Sequence, residues 1–273
     1  MKNLLLPILA IATLPLIPTD AAAQFYVVAA DGSVLYRMES GTPAYVTFEN
    51  PNPYNGTVGT AVDLGLPSGT LWADHNIGAT NPEDYGDYYS WGETATKETY
   101  DWSTYFDTND GGNTFGKYNN DDGKTELETS DDVASQTWGG KWQMPTRAMI
   151  EELKSQCYWV WTTTYNGKSV NGYIVYKAKS DADKGAKVTS GGTPSSDYDV
   201  ATDPHLFLPA AGCRWGSELI NAGSYGYYWS RSLYPYYSSY ACILYFYSDN
   251  VWDDNANYCN GFAVRPVVLP AAE

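Results

Sequence analysis

Apolar and polar positions alternate over short stretches through most of this chain, and one segment alone carries a helical period. Met149, Ile150, Leu153 and Cys157 recur at helical spacing behind Pro145, and the Thr146 hydroxyl suits an N-cap. The spacing predicts a helix over 146–157. A second, brief helix is expected to begin near Asn81-Pro82-Glu83. Near the N-terminus, Phe25–Val28 and Val34–Tyr36 flank Asp31-Gly32, a strong hairpin signal, and Tyr45–Phe48 reads as a further strand. The breaker-rich stretch from Asn50 to Gly59 reads as a linker, which makes residues 24–58 a small β appendage. From about residue 60 onward, β-branched and aromatic runs are separated by Gly, Asn, Asp and Pro, the pattern of many short strands.

The first residues read as an export signal. Lys2 precedes an almost wholly apolar run from Leu4 to Ile17, and Ala21, Ala22 and Ala23 form a small-residue cleavage site before Gln24. The run is short and broken by Pro7 and Pro15, so it is a poor membrane span, and no comparable run follows. The organisation expected is a signal peptide at 1–23, the appendage at 24–58 and one domain at 59–273. The protein is expected outside the cytoplasm, secreted or at the cell surface, with no membrane insertion after cleavage.

Charge then narrows the partners. The chain has 16 Lys and Arg against 32 Asp and Glu, a formal charge of −16, which repels phosphate backbones and excludes nucleic acid as an expected partner. Only 2 histidines and 4 scattered cysteines are present, too few for an obvious acid–base or transition-metal centre. No cofactor and no metal is expected, and no cysteine pairing is fixed by spacing. An acidic stretch at 107–132 departs from the helix-loop-helix calcium register: with Gly123 at the sixth place, Tyr118 and Thr129 fall where carboxylates belong. It reads as a solvated loop. The unusual excess is aromatic, with 25 Tyr and 10 Trp, side chains that give large amphipathic contact area at low entropic cost.

Several strings carry a resemblance. AVDLGLPSGTLWA at 61–73, NIGAT at 76–80, YGDYYSWGET at 85–94, WGGKWQMPT at 138–146, FLPAAGCRWG at 207–216, GYYWSRS at 226–232 and GFAVRPV at 261–267 run in order along the chain. Together they resemble the Fibrobacter succinogenes major paralogous domain of secreted Bacteroidetes and Fibrobacter proteins, over roughly residues 60–268. That domain is similar to the formylglycine-generating-enzyme branch of the C-type lectin-like fold, to whose signatures Trp142-x-Met144-Pro145-Thr146 and Gly261-Phe262-x-Val264-Arg265 are alike. The resemblance implies an α+β, C-type lectin-like domain of short irregular strands and one or two helices behind the β-hairpin appendage. Some members are variable proteins of diversity-generating retroelements, in which copying at template adenines randomises ligand contacts just before the last strand.

The stretch from Tyr234 to Asn260 is where the residues themselves bear on function. Strand periodicity puts Leu244 and Phe246 on one face and Ile243, Tyr245 and Tyr247 on the other. Either the strand is buried on both sides, or the tyrosine face lines an open surface. The neighbouring mixture of Tyr with Ser, Asn and Asp is the composition of antibody-like recognition loops. Randomising the adenines of an AAC or AAT codon never yields Lys, Glu, Gln, Met or Trp, and residues 233–260 contain none of these but Trp252, which reads as framework. The contact residues expected on this pattern are Tyr236, Tyr237, Ser239, Tyr240, Ile243, Tyr245, Tyr247, Asp249, Asp253, Asn255, Asn257 and Tyr258. Trp229, Leu244, Phe246, Phe262, Val264 and Arg265 are expected to be scaffold.

The reading is a non-enzymatic protein that binds a protein or glycan ligand. Three rivals remain. An enzyme of the formylglycine-generating type needs a close cysteine pair, and the spacing of Cys242 and Cys259 departs from that family. A calcium-dependent lectin needs a W-N-D motif, to which Trp252-Asp253-Asp254 is only partly alike. A structural surface module without a discrete ligand would carry no exposed aromatic patch.

Overall fold

The computed structural model describes residues 25–28, 34–38, 56–108, 110–119 and 121–269. The chain divides into two compact units, Met1–Asn52 and Pro53–Glu273. In the first, β1 (Phe25–Val28) and β2 (Val34–Met38) pair antiparallel, with a register shift between Val27 and Val28. The expected strand at Tyr45–Phe48 and the export signal lie outside the described residues.

The second unit is mainly β-sheet with few helices, an α+β architecture. A four-stranded sheet in the order β3-β4-β15-β5 joins β3 (Ala61–Val62), β4 (Leu71–Ala73), β5 (Trp142–Gln143) and β15 (Val267–Val268), so β15 lies between β4 and β5, far from both in sequence. A second, ordered β8-β6-β7-β9, contains β6 (Cys157–Tyr165), β7 (Lys168–Lys177), β8 (Lys187–Val188) and β9 (His205–Pro209). A short hairpin, β10 (Cys213–Trp215) with β11 (Glu218–Ile220), precedes a three-stranded antiparallel sheet of β12 (Tyr225–Leu233), β13 (Tyr240–Tyr247) and β14 (Asn250–Asn257).

Among the described residues the α-helices are α1 (Val133–Thr137), which a 3-10 turn at Thr129–Asp131 precedes, and α2 (Arg147–Gln156). Thr146 caps α2 as its residue type predicts, its Oγ1 accepting the Met149 amide at 3.2 Å. Ile150 and Leu153 are the buried stripe of α2, packed with Trp72, Trp159, Leu244 and Phe246. The brief helix expected near Asn81 is a turn instead: Asp84 Oδ2 accepts the Asn81 amide at 3.0 Å, and this local bond closes the chain on itself. Among the described residues no helix is long and apolar enough to cross a membrane.

Acidic side chains at 107–132 organise their own loop. Asp110 accepts the amides of Asn113 and Thr114, Asp107 accepts that of Lys117, and Asp132 caps α1 through the Ser135 amide. Asp132 is buried and also accepts the Met144 amide at 2.9 Å, so one carboxylate ties α1 to β5. Burial pushes its carboxyl above the ordinary value, against the pull of those amides and of Arg231.

One glycine fixes how β12 meets β13. Gly226 lies opposite Phe246, whose ring occupies the space a Cβ would need, with its Cζ only 2.1 Å from that position. The Phe246 ring is fully buried, so it has nowhere to retreat. Gly226→Ala is therefore expected to cost about 1–3 kcal/mol through overpacking, read as a lower urea midpoint at unchanged slope.

Candidate functional site

The sheet β12-β13-β14 has two unequal faces. Registers Tyr228↔Leu244 and Gly226↔Phe246, continued by Leu244↔Asp253 and Phe246↔Val251, place one set of side chains against α2 and the core. The opposite set is Tyr225, Tyr227 and Trp229 on β12, Ile243, Tyr245 and Tyr247 on β13, and Trp252 and Asp254 on β14. This second face is buried at one end, where Trp229 and Ile243 enter the core with Trp91, Tyr258 and Phe262. Toward Tyr245 and Tyr247 it opens, and both rings are half-buried. The sequence alternatives thus each describe one half of the same strand.

The open half is a continuous aromatic sheet. Tyr245 stacks on Tyr225 at 5.8 Å between centroids, contacts Tyr227 at 4.9 Å, and meets Trp252 edge-on at 4.8 Å. Tyr247 meets Trp252 edge-on at 5.4 Å, and Tyr227 stacks on Phe262 at 5.1 Å. Burial raises the Tyr245 hydroxyl above its ordinary value, and the neighbouring Tyr227 adds to the effect. Burial raises Tyr227 as well. Both therefore stay neutral and hydrogen-bonding over the working pH range.

Of these rings, Tyr227, Tyr245, Trp252 and Phe262 form one wall of an open cleft of about 540 Å³, which Trp215, Asn221, Asp254, Asn255, Asn257 and Asn260 also line. Its size suits a small ligand. A second cleft of about 760 Å³ is lined by Tyr118, Lys124, Arg147 and Glu151 among others. The loop at 234–239 borders that second cleft through Tyr234, Pro235 and Ser238, while Tyr240 lines the first. At the loop tip Tyr236 is 76% exposed and Tyr237 63%, with Tyr234 stacked on Tyr237.

The expected contact residues fall into three groups. Tyr240, Ile243, Tyr245, Asn255 and Asn257 line the aromatic cleft, with Ile243 only 2% exposed and so part of its floor. Tyr236, Tyr237, Ser239, Tyr247 and Asp249 lie outside that lining; Tyr236, Tyr237 and Asp249 are exposed, Ser239 and Tyr247 half-buried. Two expectations are corrected. Tyr258 is fully buried, stacked on Trp91 at 4.4 Å, because the chain turns into the core straight after β14. Asp253 shares the Leu244 face and pairs with Arg147 at 2.8 Å and with Lys154, both on α2.

Asp253 is a structural anchor with a predictable pH dependence. Burial alone would raise its carboxyl, but Lys154 and Arg147 more than offset that and hold it below the ordinary 3.8. A carboxyl depressed in the folded state contributes stability above its unfolded pKa and loses it as pH falls through the folded one. Asp253→Asn is expected to cost about 1 kcal/mol at pH 7, with the difference from wild type shrinking in urea titrations as pH falls below 3.8 and through the depressed pKa of the folded carboxyl.

The remaining reactive side chains are absorbed by the fold. All four cysteines are buried and unpaired. Burial pushes the thiols of Cys242 and Cys259 up to about 11 and about 12, the opposite of an activated thiolate. His75 pairs with Asp74 at 2.7 Å, and His205 accepts or donates to Tyr165 at 2.8 Å. Sequence reasoning missed Trp215, Asn221, Tyr227 and Asn260 as cleft residues, although an isolated exposed Trp beside a turn is itself a signal. No family model, no curated protein and no solved structure matches this chain.

Proposed function

We propose that this chain is a secreted ligand-binding protein whose C-type lectin-like domain, of the Fibrobacter succinogenes major paralogous type, presents a variable surface near residues 234–260. Its activity is recognition, not catalysis. The observation that carries the reading is the open half of the β12-β13-β14 face, where Tyr225, Tyr227, Tyr245 and Trp252 pack edge and face beside a rim of Asn and Asp. Rigid aromatic anchors surrounded by adaptable polar groups are the composition of recognition surfaces. The same strand keeps Leu244 and Phe246 in the core, so positions on the open face tolerate change without loss of the fold.

Sequencing the 3′ end of the gene in many isolates, with the flanking few kilobases, tests this. Codons for Tyr236, Tyr237, Tyr240, Tyr245 and Asn257 are expected to vary at adenines, with a near-identical repeat and a reverse transcriptase nearby. Leu244, Phe246 and Trp229 are expected to stay fixed. Scaffold codons that vary as freely as those of the open face would contradict the reading.

A further inference from the structure

The chemistry of the aromatic cleft restricts what it can hold. Among the described residues its lining contains no Lys or Arg, and its only carboxylate is Asp254. Anionic ligands find no counter-charge there, in a chain that already carries −16. A single carboxylate also brings little of the negative charge with which hard-cation sites are built, and among the described residues no group of three or more His, Cys, Asp or Glu is placed to hold a metal. The polar groups that do converge are amides, from Asn221, Asn255, Asn257 and Asn260. An amide offers a donor and an acceptor together, the complement of a hydroxyl that does the same.

The apolar surfaces in the cleft are flat rings. Trp215, on the β10-β11 hairpin, is 67% exposed at the cleft, a large apolar side chain held in solvent. Tyr245 and Trp252 contribute from the sheet. Flat rings beside neutral amides match one ligand class, a ring with an apolar C–H face and a periphery of hydroxyls. Asn221 is already oriented, its Nδ2 donating to the Tyr227 hydroxyl at 3.3 Å. Asn255 Nδ2 donates to Asp254 Oδ1 at 3.5 Å, and the half-buried Asn257 lines the cleft beside them.

Resting on the recognition surface proposed above, we infer that this cleft is a metal-independent subsite for a neutral pyranose unit of a glycan. Trp215, outside the variable stretch, is its fixed stacking residue. Ring stacking supplies the affinity and Asn255, Asn257 and Asp254 read the hydroxyls. Changes within 234–260 then alter which sugar is accepted while the stacking contribution of Trp215 persists.

Native gels cast with soluble polysaccharides test this, using the full chain in EDTA. The neutral probes are mannan, galactomannan, mixed-linkage β-glucan and arabinoxylan; the anionic probes are polygalacturonate and chondroitin sulfate. Retardation by at least one neutral probe, and by neither anionic one, is expected. Trp215→Ala should weaken it at least ten-fold and Trp215→Phe should restore most of it, both with unchanged melting temperature because the ring is exposed. Retardation by no neutral probe, abolition by EDTA, or retention undiminished in Trp215→Ala overturns the inference. Binding to a protein partner that is lost in Tyr245→Ser but not in Trp215→Ala would overturn it while leaving the recognition surface standing.

Discussion

Arg265→Leu is expected to lower the stability of the domain by about 3–5 kcal/mol, the cost of stranding buried partners of a removed charge. Arg265 is 1% exposed and sits just before β15. Its Nε donates to Asn76 Oδ1 at 2.7 Å, its Nη1 to the carbonyls of Ala73 and Asp74 at 3.1 and 3.0 Å, and its Nη2 to the Phe207 carbonyl at 2.8 Å. One side chain thus joins the segment after β4, the strand β9 and the C-terminal segment. Leucine removes the donor from all four acceptors, three of them on fully buried residues (Ala73, Asn76 and Phe207), and fills less of the space. For a domain of this size each kcal/mol moves the melting temperature by about 2–4 °C, so a fall of about 10 °C is expected. Arg265→Lys should recover little, because an ammonium has no planar fork with which to reach four acceptors on two segments. Thermal melts by near-ultraviolet circular dichroism check both variants; a wild-type midpoint for Arg265→Leu would mean that its bonds are compensated by water.

The second large effect concerns recognition. Tyr245→Ser and Trp252→Ala are each expected to reduce ligand affinity by about 30-fold or more, the about 2 kcal/mol typical of an aromatic anchor at the centre of an interface. The two rings touch edge-on at 4.8 Å, and Tyr245 also bridges to Tyr225 and Tyr227. Either substitution therefore removes contact area and loosens the remaining rings, and the double variant should lose less than the sum of the two. Because both side chains are half-buried, the stability cost stays near 1–2 kcal/mol and the variants fold. Equal losses from Tyr236→Ala would shift the anchor from the cleft to the loop tip. Affinity on a ligand surface and the melting temperature of each variant separate the two effects.

Some of this was legible in the sequence because local chemistry decided it. Thr146 caps α2 because its hydroxyl is three residues from an amide it can accept, and a two-residue period divides Leu244 and Phe246 from Tyr245 and Tyr247 wherever the strand lies. What the sequence hid depended on register and on distant segments. Asp253 belongs with Leu244 through the pairing of β13 with β14, which composition does not encode, and it faces α2 instead of the tyrosines. Tyr258 looks like the tyrosines and asparagines of the cleft but follows the last residue of β14, where the chain turns inward. Trp215, Asn221 and Tyr227 reach the cleft from a separate hairpin and from β12, so no window along the chain shows them together. The short α1, with only Val133 and Ala134 buried, is too brief to display a period.

The central claim is that the open half of the β12-β13-β14 face is the recognition surface. Its most direct test is retention of the protein on an array of immobilised glycans and extracellular proteins, comparing wild type with the Tyr245→Ser, Trp252→Ala double variant. The account predicts that wild type is retained on at least one surface and that the double variant, still melting cooperatively, is not. Retention that survives the double substitution, or wild type that binds nothing on the array, would contradict it.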